Sequence, residues 1–151
     1  LKGWFDRVFT KGFTHGSPAP DLPGRTLRYG QGGMVGKRAV LMITTAGREA
    51  AFSPRGVHGF IDEVLFPIQH GTLWYAGFTV LPPILICGAH RIDGSLLRET
   101  EHALRYRLQT LDTTAPIKFR FQNCGDYDDD LVLSDRIAPG ETGLSVHVET
   151  S

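Results

Sequence analysis

An excess of either charge is missing from this chain: 16 Lys and Arg face 16 Asp and Glu across 151 residues, so the formal net charge is zero with neutral histidines. That removes the strongly basic footprint by which nucleic-acid binders hold phosphates. Cysteine is scarce. Cys87 and Cys124 are too few and too unpatterned for a disulfide framework or a zinc site. Cys87 lies in the apolar run Ile84-Leu85-Ile86-Cys87 and reads as a buried, inert thiol, which points to a reducing compartment, the cytoplasm. No apolar run is long enough to span a membrane as a helix, because Pro82-Pro83 interrupts the most apolar stretch. Familiar catalytic signatures are also missing: there is no G-x-G-x-x-G, no G-x-S-x-G and no H-E-x-x-H. Histidines at 15, 58, 70, 90, 102 and 147 are scattered, and no metal site is expected.

Two clusters imitate sites. Gly30-Gln31-Gly32-Gly33-Met34-Val35-Gly36-Lys37 lacks the spacing of a phosphate loop, and it precedes a strand where such a loop would follow one. A flexible loop is the expectation there. Asp126 to Asp130 lacks the glycine and terminal glutamate of a calcium loop and reads as a solvated turn.

The length suffices for one domain with a core. Leu1, Trp4, Phe5, Val8 and Phe9 mark one face of an amphipathic helix with nothing before it to cap it, so the chain reads as missing its true beginning. A long loop of Gly, Pro, Ser and Arg, about Thr14 to Gly36, follows. Lys37 to Ile43 reads as one buried strand and Ile84 to Cys87 as a second. Between them Phe60 to Tyr75 is helical, kinked or split at Pro67 and ended by Gly77. Asp93 caps a last helix with Leu97, Leu104, Leu108 and Leu111 on its apolar face. Beyond Asp112 the pattern fades to a short edge strand, Ile117 to Phe121, and turns. This order predicts parallel strands with right-handed crossovers.

The first strand leads directly into Thr44-Thr45-Ala46-Gly47, and Gly56-Val57-His58-Gly59 follows before a run of large apolar residues. Ligands of open α/β sheets sit outside the carboxyl ends of strands. Small residues let a flat ring approach the backbone, and His58 adds a group that titrates near neutrality. The pattern is that of a flavin platform, with a capping or core histidine as the alternative reading of His58.

Four segments carry a family resemblance. Leu1 to Phe9 is similar to the helix after the third strand of NAD(P)H:quinone oxidoreductases, and the tail more loosely resembles that family's bacterial members. Thr44 to Gly47, Gly56 to Gly59 and Pro67-Ile68-Gln69-His70-Gly71-Thr72-Leu73 resemble that family's next signatures in order. The resemblance runs from Leu1 to near Leu111. It implies a flavodoxin-like α/β fold, a three-layer doubly wound parallel sheet of order 2-1-3-4-5. Only the C-terminal half would be present here, the fourth and fifth strands with flanking helices, so part of the cofactor site would be lacking. Residues 1–111 would be quinone reductase domain, and 112–151 an irregular extension.

The resemblance also implies FAD, or FMN, as cofactor, NAD(P)H as co-substrate, a quinone as acceptor and a homodimer. Ping-pong hydride transfer through flavin N5 would be the reaction. Thr44, Thr45, Ala46 and Gly47 match the loop that meets the flavin, with Ala46 where the family has glycine. His58 matches a histidine that stabilises charge on the reduced ring. Phe52 stands where the family has the tyrosine that shares this task, and it has no hydroxyl. Tyr75 matches a pocket aromatic, His15 the position of a tyrosine covering the partner's site, and Arg98 an arginine on the adenine side. Because of Phe52, the resemblance also leaves room for a regulatory role, as in flavodoxin-like ancillary subunits of potassium-efflux systems.

Overall fold

The computed structural model describes residues 2–91 and 93–149, so Leu1, the first position of the opening apolar pattern, lies outside them. In chain order the elements are helix α1 (Lys2–Val8), strands β1 (Ser17–Pro18), β2 (Thr26–Leu27), β3 (Arg38–Ala39) and β4 (Met42–Thr44), helix α2 (Ile61–Ile68), strands β5 (Thr79–Val80) and β6 (Ile84–Ile86), and helix α3 (Gly94–Gln109). Two compact units are distinguishable: the chain up to Ala39 with Leu65–Val80 and everything from Ile117 on, and Val40–Val64 with Leu81–Pro116.

The unit built from Val40–Val64 and Leu81–Pro116 is organised by β4 and β6. They run parallel, with Met42 beside Ile84, Ile43 beside Leu85 and Thr44 beside Ile86. The parallel sense agrees with the sequence pattern. The extent does not. The expected strand from Lys37 is divided, with Val40 and Leu41 between β3 and β4. Pro82 and Pro83 lie between β5 and β6, and neither has an N–H to give a ladder. Nor is the strand buried, since Met42 is 59% exposed. The core here is Leu81 and Ile84. Helix α3 is tied on by Arg107, whose Nη2 donates to Pro82 O at 3.0 Å. Asp93 occupies the cap position with extended backbone, but its side chain makes no capping bond. Its carbonyl instead accepts from Leu97 N–H at 2.9 Å, starting the helical ladder. The expected apolar face of α3 is not buried: Leu97 and Leu108 are exposed.

In the other unit the segment expected as a plain loop holds a hairpin, β1 antiparallel to β2, with Ser17 beside Leu27. The glycine cluster is close-packed, correcting the expectation of a flexible loop. Gly33 N–H donates to Thr14 O at 2.9 Å, and Met34 N–H to Ala76 O at 3.0 Å. A Cβ on Gly33 would come within 1.7 Å of Phe13 O, and one on Gly32 within 2.3 Å of Ala76 O. These glycines are there because two backbones cross with no room for a side chain.

Pro67 sits within α2, and its missing N–H loosens the winding. The chain continues from Gln69 to Trp74 as a wider π-type turn that buries Gln69, Leu73 and Trp74. Gly77, at φ 97°, then ends it as expected. Strand β5 runs parallel to β3. Trp74 closes the core: its Nε1–H donates to Arg120 O at 3.1 Å, and its ring meets Phe121 edge-on at 4.8 Å. The expected strand Ile117 to Phe121 reduces to a single bridge between Phe119 and Val148, because buried Phe119 packs into the core. The acidic segment is a turn closed on itself, with Asp128 Oδ1 accepting from the N–H groups of Asp130 and Val132. No helix among the described residues is long and apolar enough to cross a membrane, and no group of potential metal ligands gathers among them.

Candidate functional site

Strand β4 ends at Thr44, and the next three residues form a pinned loop. Thr45 N–H donates to Ile86 O at 3.0 Å, and Gly47 N–H to Thr45 Oγ1 at 3.0 Å. The carbonyls of Thr45 and Gly47 accept from Ala89 and Gly88, each at 2.9 Å. The Ala46 N–H takes no part in this network, and Ala46 is exposed. Among the described residues the Ala46 N–H has no backbone partner, so the loop can offer it to a ligand.

Beside it stand two rings. A short helical turn, Glu49–Phe52, carries Phe52, and the chain returns so that His58 N–H donates to Ala51 O at 3.0 Å. This return needs glycine at 56, where a Cβ would meet Ala51 O at 2.1 Å. The Phe52 and His58 rings lie 4.9 Å apart at 39°. A Cβ placed on Gly47 would come within 3.0 Å of Phe52 Cε2 and 3.1 Å of His58 Nε2. Gly47 thus packs directly against both rings, with no room between them for a side chain. His58 is exposed, so its imidazole is available to a bound molecule. Cys87, next in the chain to Gly88, which donates to this loop, is half-buried where full burial was expected. Burial, with Glu49 adding to it, pushes its thiol pKa up, which keeps the sulfur protonated.

Six of the residues singled out in the sequence, Thr44 to Gly47 with Phe52 and His58, are accordingly brought together in one unit. Arg98 lies on the exposed surface of α3 in that same unit. His15 and Tyr75 are brought together in the other unit, ring centroids 5.4 Å apart. They share the wall of a cavity of about 660 Å³ with Phe5, Phe9, Pro67 and Ile68.

Sequence reading missed a second ring cluster in that unit. His70 stacks on Phe66 at 4.4 Å, meets Tyr29 at 5.0 Å and lies 5.8 Å from His147. His147 Nδ1 and Tyr127 Oη are 2.9 Å apart. His70 and His147 are distant in sequence, so no local spacing announces the pair. Burial, then His147, lowers the His70 pKa to about 4. Burial and Arg120 lower that of His147, and burial foremost raises Tyr127 to about 12. The unfolded chain, with histidine near 6.5, therefore binds more protons than the folded one as pH falls from about 6.5 to about 4. Stability should be full above that window and decline through it. Urea midpoints at pH 7 and pH 4.5 would show this, and His70→Gln should flatten the difference.

Comparison with known proteins follows the same lines. The model of the Flavodoxin_2 family, described by its flavodoxin-like fold, matches residues 1–109. The crystal structure of a protein from Klebsiella pneumoniae described as a quinone reductase aligns at TM-score 0.93 and 46% identity, over 98% of this chain and 57% of that one. A ribosyldihydronicotinamide dehydrogenase-like protein of Penicillium crustosum is 40% identical over 152 residues, covering 99% of this chain and 56% of its own length. NAD(P)H dehydrogenase (quinone) 1 of Cavia porcellus is 39% identical over 119 residues, 79% of this chain and 40% of the relative. The chain spans about half the length of the curated relatives it matches. The expectation that the chain holds only the C-terminal half of the fold is not supported, since the family model matches from residue 1 to 109 and the structural neighbour covers 98% of the chain.

Proposed function

The chain belongs to the Flavodoxin_2 family, with its flavodoxin-like α/β fold, and on that premise we propose that it serves flavin-dependent reduction of quinones by NAD(P)H. The observation that carries this reading is the exposed Ala46 amide at the end of β4, set beside the Phe52 and His58 rings. A flat heteroaromatic ring would lie on the open side of this loop with its polar edge at Ala46, since the two side chains already close against Gly47. The relatives named as quinone dehydrogenases and the quinone reductase neighbour support the same chemistry.

In this reading Ala46 N–H and the Thr44 and Thr45 segment hold the polar edge of the isoalloxazine, and Gly47 permits its approach. His58 supplies a proton or hydrogen bond from its imidazole to the edge where negative charge gathers. Phe52 offers an apolar wall where a tyrosine would donate. When bound, the flavin supplies two-electron chemistry, hydride in from NAD(P)H and out to a quinone in ping-pong order. Arg98 is proposed for the adenine side of FAD, and His15 and Tyr75 for the acceptor pocket of a homodimer. Residues 1–111 are proposed as the reductase domain and 112–151 as its extension.

Losing the His58 donor should cost about 2–4 kcal/mol of barrier, as for one oxyanion donor. Stopped-flow reduction of the FAD-loaded protein by NADPH should accordingly slow in His58→Ala and speed up in Phe52→Tyr. An unchanged rate in His58→Ala removes the histidine from the reaction. FAD binding without any quinone turnover would favour the regulatory reading that Phe52 leaves open.

A further inference from the structure

The second ring cluster lines a cavity that the reductase reading leaves unused. Its volume is about 380 Å³, and its wall includes Tyr29, Phe66, His70, Arg120, Tyr127 and His147, with Leu131 and Leu144 on the apolar side. Ligand sites of small molecules have this make-up, mostly rings and aliphatic groups with a few polar atoms, and begin near 300 Å³. An engineered cavity of roughly 150 Å³ already holds benzene, so there is room for more than one ring.

The polar atoms define what kind of molecule fits. Arg120 is committed: Nε donates to Val146 O at 2.9 Å, and Nη1 pairs with Asp126 Oδ2 at 3.1 Å. Its charge is thereby compensated within the protein. Tyr127 and His147 satisfy each other through Oη and Nδ1. Both histidines are held neutral near pH 7, first by burial. The wall therefore presents no uncompensated charge to hold an anion or a cation. Tyr29 Oη and the His70 ring nitrogens make no hydrogen bond among the described residues, so they remain to meet a polar substituent.

The backbone adds an independent sign. Tyr29 (φ 46°) and Leu131 (φ 64°) are two of the three non-glycine residues with positive φ among those described, and both lie in this wall. Such strain persists where the surroundings impose it and gathers at ligand sites.

We propose that this cavity binds a small, neutral, planar aromatic molecule carrying a hydroxyl or carbonyl group. The ring lies among Tyr29, Phe66, Leu131 and Leu144, and the substituent meets Tyr29 and His70.

The test is calorimetric titration of 2-naphthol into the 151-residue chain at pH 7, with the histidine ring signals followed by NMR. Saturable binding at one site per chain is expected, with the His70 and His147 signals moving together. Leu144→Trp fills the cavity from its exposed side and should weaken binding at least tenfold at an unchanged melting temperature; Leu131→Trp repeats the test should that variant fold poorly. His58→Ala should leave naphthol binding unaltered, which separates this site from the flavin loop. The carboxylate 2-naphthoate should bind at least tenfold more weakly. No saturable binding, equal affinity in the tryptophan variants, loss of binding in His58→Ala alone, or preference for naphthoate would each overturn the proposal.

Discussion

Gly47→Val should leave the protein folded and reduce FAD binding by about a hundredfold. The added Cβ would stand 3.0 Å from Phe52 Cε2 and 3.1 Å from His58 Nε2. Phe52 is half-buried and His58 exposed, so both rings can swing outward. The stability loss should therefore stay below about 1 kcal/mol, small for overpacking because the neighbours can move. A ligand has no such freedom, since the displaced rings and the added methyl groups would crowd its approach to the Ala46 amide. Displacements of about 1 Å at a site can cost roughly 10² in function. Fluorescence titration with FAD, alongside urea melts, separates the two effects. A variant that binds FAD like the parent would show that the flavin does not rest against this loop.

Trp74→Ala should have the opposite signature, a loss of about 3–5 kcal/mol in stability. Trp74 is buried, packs against Phe119 and Phe121, and donates to Arg120 O. Removal leaves both a cavity and an unsatisfied carbonyl, two penalties that add. Trp74→Phe keeps most of the packing and loses the hydrogen bond, so it should fall between the parent and Trp74→Ala. Denaturant midpoints give the order directly. Equal midpoints for Trp74→Phe and the parent would mean that the indole N–H contributes nothing.

The contrast between these two glycine and tryptophan positions shows what a sequence can and cannot reveal. The loop from Thr44 to Gly47 was legible because strand, small residues and histidine stand close together in the chain, whereas the bonds to Ile86, Gly88 and Ala89 that pin it come from far along the chain and were not. The parallel pairing of Ile43 with Leu85 was legible from two apolar runs separated by a helix. Strand length was not, because it depends on which N–H faces a partner, and Pro82 and Pro83 offer none. The apolar faces of α1 and α3 were legible as patterns, yet Trp4, Leu97 and Leu108 stay exposed. Periodicity states which side of a helix is apolar, and burial requires something to cover it. The glycines at 32 and 33 looked like slack and proved to be a crossing point, since close approach is a property of two strands of backbone. The cluster of His70, Tyr127 and His147 joins residues from the π-type turn and the last part of the chain. Its proton affinities arise from burial, which no spacing encodes.

The central claim, that a flavin rests on the loop after β4, is tested most directly by amide and histidine NMR during titration with FAD. The account predicts that the amide signals of Ala46 and Gly47 and the ring signals of His58 shift together and saturate at one FAD per chain. Saturation of FAD with those signals unmoved, or no binding at any concentration reached, would contradict it.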